Sequence, residues 1–138
     1  MEHPNATRIR TSWLAAMSGD PVAAGELATD DVVWINDIGA GPWRRLDGLQ
    51  ACGEFALAWQ ELFDFTWTYD VLDACGSEHS VVLVMREHGF ARSHHFDNHT
   101  LYHFTLGPDG RATHIQTYDR DRDAIIAFWE AIGPVTPR

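Results

Sequence analysis

Ile9, Trp13, Ala16 and Met17 recur at helical spacing, and Gly19 follows as a stop signal. Asp20-Pro21 restarts a short helix to about Leu27, with aspartate as N-cap and proline at the first helical position. Asp30-Asp31 is expected to break it, and Val32 to Asp37 to form a strand. Gly39 to Gly48 predicts a loop. Asp47 with Gln50 predicts a capping box, opening a helix whose apolar face is Cys52, Phe55, Ala56, Trp59, Leu62 and Phe63. The period then changes from helical to alternating. Phe65, Trp67, Tyr69 and Val71 predict one strand, Ser80 to His88 a second and about His99 to Leu106 a third. Gly107-Pro108-Asp109-Gly110 predicts a hairpin turn into a last strand ending near Asp119. Ile125, Phe128, Trp129 and Ile132 predict a closing helix that stops at Gly133-Pro134. Helices first and then a run of strands imply α+β: a mainly antiparallel sheet with helices on one face.

The length, 138 residues, suits a single domain, 1–138, with a core that needs no disulfide or metal. Cys52 and Cys75 form no disulfide framework or zinc-ribbon pattern. The start, Met-Glu-His-Pro-Asn, lacks the regions of a signal peptide, and the run Val81–Met85 is far too short to span a bilayer. The expected location is therefore cytoplasmic. Twenty acids against ten bases give a formal charge of -10, which disfavours nucleic acid and anionic membranes as partners. All ten bases are arginine, so a lysine Schiff base and a P-loop are excluded.

Ser18-Gly19-Asp20, the stretch Asp31 to Asp37, the helix after Gly48, and Leu101 to Gly110 with Tyr118-Asp119 beyond resemble the nuclear-transport-factor-2-like superfamily. That superfamily includes ketosteroid isomerases and SnoaL-like polyketide cyclases. The resemblance covers nearly the whole chain. It implies a cone-shaped, cystatin-like fold: a curved sheet wrapped around helices, an internal apolar pocket, and pairing through the outer sheet face as a homodimer. It does not fix function, because this scaffold hosts enzymes, binding proteins and transport factors. Asp37 matches the general base of ketosteroid isomerases. Their first-helix tyrosine falls on Ser12, beside Trp13, which argues against a true ketosteroid isomerase. Their second oxyanion donor falls on Tyr102, and the acid/base aspartate of polyketide cyclases falls on Thr117, with Asp119 two residues on along the same strand face.

The chemistry follows from these positions. Asp37 lies among Trp34, Ile35, Ile38 and Trp43, where desolvation is expected to raise its pKa; a strand-end aspartate also commonly starts a turn. Thr100, Tyr102, Phe104 and Leu106 share the more apolar face of their strand and are expected to point at the helices; His99, Leu101, His103 and Thr105 share the other. Asp119 would be a second pocket carboxyl, while one acid of Asp121 and Asp123 caps the last helix. Trp13, Trp34, Phe55, Trp59, Phe104, Ile115 and Thr117 are candidate substrate contacts. Trp43, in a polar loop, is expected to cover a ligand or a partner. His95, Asp97 and His99 alternate, but along a strand they span about 13 Å, too far to share one metal, so no metal site is expected. His88, His94 and His103 lie nearby, and His94 or His95 would be a proton donor as in scytalone dehydratases, which share this fold.

These readings converge on a cofactor-independent enzyme that abstracts a proton next to a carbonyl of a hydrophobic cyclic or polyketide-like compound. Asp37 would be the base, Tyr102 the oxyanion donor, and Asp119 or a histidine the returning acid. The outcome would be isomerisation, cyclisation or dehydration. The alternative is a small-molecule binding or accessory dimer without catalysis.

Overall fold

In the computed structural model, which describes residues 2–137, α1 (Pro4–Met17) begins one residue after His3, whose Nδ1 accepts from the Asn5 amide at 3.1 Å. Asp20 caps α2 (Pro21–Leu27) by accepting from the Val22 and Ala23 amides, as the Asp-Pro pair predicts. Strand β1 (Ala28–Ile35) starts earlier than expected. The helix ends at Leu27 as expected, and Asp30 and Asp31 sit beyond it in an irregular stretch of β1 between the ladder positions Ala28 and Val33, with Asp31 accepting from Thr29.

A 3-10 turn (Ile38–Ala40) and β2 (Arg45–Asp47) occupy the expected loop, with β2 folding back antiparallel on β1. The capping box is absent: Asp47 pairs with Arg45 at 3.1 Å and Gln50 with Glu54, and Gly48 is the N-cap of α3 (Leu49–Leu62) without a side-chain bond. Strands β3 (Thr68–Gly76), β4 (Ser80–Ala91), β5 (His94–Leu106) and β6 (Ala112–Asp119) follow. Phe65 and Trp67 precede the strand predicted to hold them. β5 starts at His94 because a tight turn at Arg92-Ser93, both with positive φ, pairs His94 with Ala91. Asp121 caps α4 (Arg122–Ile132) by accepting from the Ala124 amide.

The six strands form one sheet in the order β2-β1-β6-β5-β4-β3, parallel only at β1–β6. It is a curved α+β sheet whose concave face holds α1 and α3. Strict alternation along β4 and β5 buries Val81, Leu83, Met85, Tyr102 and Phe104 on that face. Trp13 of α1 is fully buried and meets Trp34, Tyr102 and Phe104 edge-on at 5.3, 4.8 and 5.6 Å. Truncating it to alanine would cost about 3–5 kcal/mol. α4 closes one end, where Phe128 stacks on Phe63 and meets Phe96. Among the described residues no helix is long and apolar enough to cross a membrane.

Candidate active site

The inner face of three neighbouring strands gathers the polar groups. Register places Glu87 of β4 opposite Asn98 of β5, Thr100 opposite Asp119 of β6, and Tyr102 opposite Thr117. Side chains two apart share a face, so these six meet on the concave side although the chain separates them widely. The Tyr102 hydroxyl donates to Glu87 Oε2 at 2.9 Å. Asp119 Oδ1 accepts from Thr100 Oγ1 and Asn98 Nδ2, both at 3.1 Å, and its Oδ2 accepts from the Gly39 amide at 2.7 Å. Gly39 is required there: a Cβ on it would lie 2.5 Å from Asp119 Oδ1.

These groups line a cavity of about 20 Å³, room for roughly one water. Its lining includes two carboxyls, Glu87 and Asp119, and two phenols, Tyr69 and Tyr102, but no arginine or histidine. Burial pushes Glu87 up to about 7; bonds from Thr100 and Tyr102 offset part of this, and the nearby Asp119 charge adds to it. Burial also raises Asp119, against the Gly39 and Thr100 bonds that favour its charged form. Tyr102 is held well above the usual phenol range, first by burial and then by the Glu87 charge. Burial thus favours the neutral form of both carboxyls, while different donors favour the charged form of each, so the two environments are not equivalent.

A second cavity of about 1110 Å³ lies between α1, α2, α3, β1 and the start of β3, lined by groups such as Trp13, Met17, Leu27, Val32, Cys52 and Ile115. Trp34, Trp67 and Tyr69 line both spaces and form the wall between them. The volume suits a sizeable apolar ligand. Among the described residues the buried indole N–H groups of Trp13, Trp34 and Trp129 have no hydrogen-bond partner. Burial raises the Cys52 thiol to about 11, so it is no ready nucleophile.

Tyr102 and Asp119 meet at the small cavity with Trp34, Phe55, Trp59 and Thr117, while Trp13, Trp34 and Ile115 line the large one. Asp37 lines neither. Arg122 Nη1 reaches both its oxygens, at 2.7 and 2.6 Å, and its Oδ2 accepts from the Asp119 amide. Burial acts to raise the Asp37 pKa, but the Arg122 bond, the amides of Asp119 and Ile38 and the Arg122 charge outweigh it and the net shift is downward, opposite to the expectation. Trp43 is buried rather than presented to a ligand: the β1–β2 hairpin turns it under α3, against Phe55 and Trp59. Phe104 is fully buried against Trp13 and lines neither cavity.

The histidines lie away from both spaces. His88 pairs with Asp70 at 3.0 Å, His95 stacks on Phe90, His99 contacts Arg120, and Asp97 is bound by Arg86. Among the described residues no group of three histidine, cysteine, aspartate or glutamate side chains is placed to hold a metal ion. Glu87 was missed by motif reading. Its signal was parity: it continues the inward series Val81, Leu83, Met85 along its strand.

Fold and site together define a pocketed α+β cone with a buried carboxyl pair. No protein-family model and no curated protein matches the sequence. Solved structures do. Bal32a, from a soil-derived mobile gene cassette, is 20% identical with a TM-score of 0.81, covering 91% of this chain and 95% of its own. TerC, co-crystallised with polyporic acid, is 17% identical with a TM-score of 0.74, covering 91% and 98%. A proposed SnoaL-like polyketide cyclase from Jannaschia sp. CCS1 is 16% identical with a TM-score of 0.71, covering 98% and 99%. The chain shares the α+β fold of these solved structures, among which are nuclear-transport-factor-2-like and SnoaL-like proteins.

Proposed function

We propose that this chain is a cofactor-independent acid–base enzyme that moves a proton next to a carbonyl of a hydrophobic, cyclic or polyketide-like compound. The observation that carries the reading is the convergence of Asp119, Glu87 and Tyr102 on one nearly dry space beside a large apolar cavity. Asp119 takes the carbon-bound proton, held in place by three donors. Tyr102 donates to the carbonyl oxygen as negative charge develops there. The proton returns from Asp119 to another carbon, which isomerises the compound, or the enolate carries the chain on to ring closure or loss of water. Asp37 is not the base in this reading; locked by Arg122, it positions Asp119 through the backbone amide. The likeness to TerC and to a proposed polyketide cyclase fits the substrate class. A homodimer through the convex face is part of the reading: Val84, Leu101 and Tyr118 stand side by side there on adjacent strands, and light scattering at micromolar concentration checks it.

One observation favours a second reading, binding without turnover. The polar space is about 20 Å³ against about 1110 Å³ for the apolar one, so a substrate reaches Asp119 only if Trp34, Trp67 or Tyr69 swings aside. Exchange of the α-protons of 1-tetralone for deuterium, followed by NMR, separates the two. Catalysis predicts exchange that falls roughly 100-fold or more in Asp119→Asn. Binding alone predicts tetralone-induced shifts and no exchange above the buffer rate.

A further inference from the structure

A phenol has one proton to give, and Tyr102 gives it to Glu87. While that bond stands, Tyr102 offers the cavity only lone pairs and cannot stabilise an oxyanion. We propose that Glu87 is the positioning residue that switches Tyr102. Protonated, Glu87 donates to the Tyr102 oxygen and frees the phenol proton for the substrate's carbonyl oxygen; ionised, it draws that proton back. The inference rests on the acid–base reading above and adds to it a required protonation state.

The geometry supports the switch from every side. Glu87 is 6% exposed and Tyr102 4%, so bulk water does not compete for their bond. Facing Glu87 are Tyr69 from β3, its ladder partner, Tyr102 from β5, and Asp119 from β6, while α3 contributes only the aromatic rings of Phe55 and Trp59. No cation lines this space to hold Glu87 ionised. Two carboxylates charged together in such a site repel, and the site is more stable with a proton on one of them. Asp119 accepts from the Gly39 amide, Asn98 and Thr100, whereas Glu87 accepts from the Tyr102 hydroxyl, and with the Thr100 proton committed to Asp119 the shared proton rests on Glu87. The value of about 7 agrees with that order.

The step balances. Asp119 takes the proton from carbon. The phenol proton of Tyr102 bonds to, or moves onto, the enolate oxygen, and the Glu87 proton follows toward the phenol oxygen. On return of the proton from Asp119 to carbon, both steps reverse and no proton is gained or lost.

The test joins a pH profile to a titration that needs no ligand. In wild type, 1-tetralone exchange, corrected for the buffer rate, falls by roughly tenfold per pH unit above about pH 7 until it meets the rate of Tyr102→Phe. In Glu87→Gln the position can donate through its NH2 and no longer titrates, so the alkaline fall disappears and the rate holds to about pH 9. Carbon NMR of the labelled protein follows the Tyr102 Cζ and Glu87 Cδ resonances. They titrate together near pH 7 in wild type, and Tyr102 does not titrate there in Glu87→Gln. A flat Tyr102 resonance in wild type, or an unchanged alkaline fall in Glu87→Gln, overturns the proposal. Coupled titration with no exchange by any protein leaves the switch standing and overturns the enzymatic reading. If Glu87→Gln does not fold, the wild-type titration and the convergence on Tyr102→Phe decide.

Discussion

Asp37 and Asp119 are bonded neighbours, the amide of one on the carboxylate of the other at 3.1 Å, yet their protonation shifts run in opposite directions. Asp37 sits at the rim under a guanidinium that is half in solvent. Asp119 sits inside, facing hydroxyl, amide and a second carboxyl. Residue type is the same and distance is short; what differs is that a guanidinium binds one carboxylate directly, while the other is buried among neutral donors and a second carboxyl. The rim aspartate is held ionised and serves structure. The inner one is costlier to ionise because it is buried.

The widest gap between the two should appear in rate. Asp119→Asn is expected to lower 1-tetralone exchange by 100-fold or more, whereas Asp37→Asn, which keeps an acceptor for the Asp119 amide, should change it by less than about threefold. Equal losses would erase the distinction between rim and interior.

The next effect is on stability. Glu87 has its folded pKa raised from 4.5 to about 7, so the folded state binds more protons than the unfolded state between these values. Its contribution is fully favourable below that window and is lost as pH rises through it. Urea unfolding of wild type should show stability falling by about 3 kcal/mol between about pH 4 and 8 from this group. Glu87→Gln should flatten that slope.

A smaller loss is expected from Gly39→Ala, because the new methyl collides with the Asp119 carboxyl. Exchange should fall roughly tenfold with the fold intact by circular dichroism. The smallest effect is the rim pair itself. Asp37 has a lowered folded pKa, so its contribution is present above the usual aspartate range and lost as pH falls through the folded value. Arg122 is 54% exposed, which screens the pair. Asp37→Asn should therefore cost under about 1 kcal/mol at pH 7 and nothing in acid, read by the same unfolding curves.

The alternation of residues 80–88 and 99–106 and the Asp-Pro, Gly-Pro and Gly-Pro-Asp-Gly signals made the element order and strand parity legible in the sequence. Parity pointed Tyr102 at the helices and set Asp119 on the same strand face as Thr117, a position that came from the resemblance. Those are local properties, set by periods of 2 and 3.6 and by backbone preferences of a few residues. Trp43 read as a ligand-covering residue because its neighbours are polar, and only the fold of β2 onto β1 turned it into core. Asp37 read as a desolvated base because its neighbours are aromatic, and Arg122, 85 residues away, decided otherwise. Glu87 carried no motif, and its meaning came from the registers that set it across β5 from Asp119. Protonation is governed by what stands within a few ångströms, and in a sheet of long-range pairings the tertiary structure chooses those neighbours.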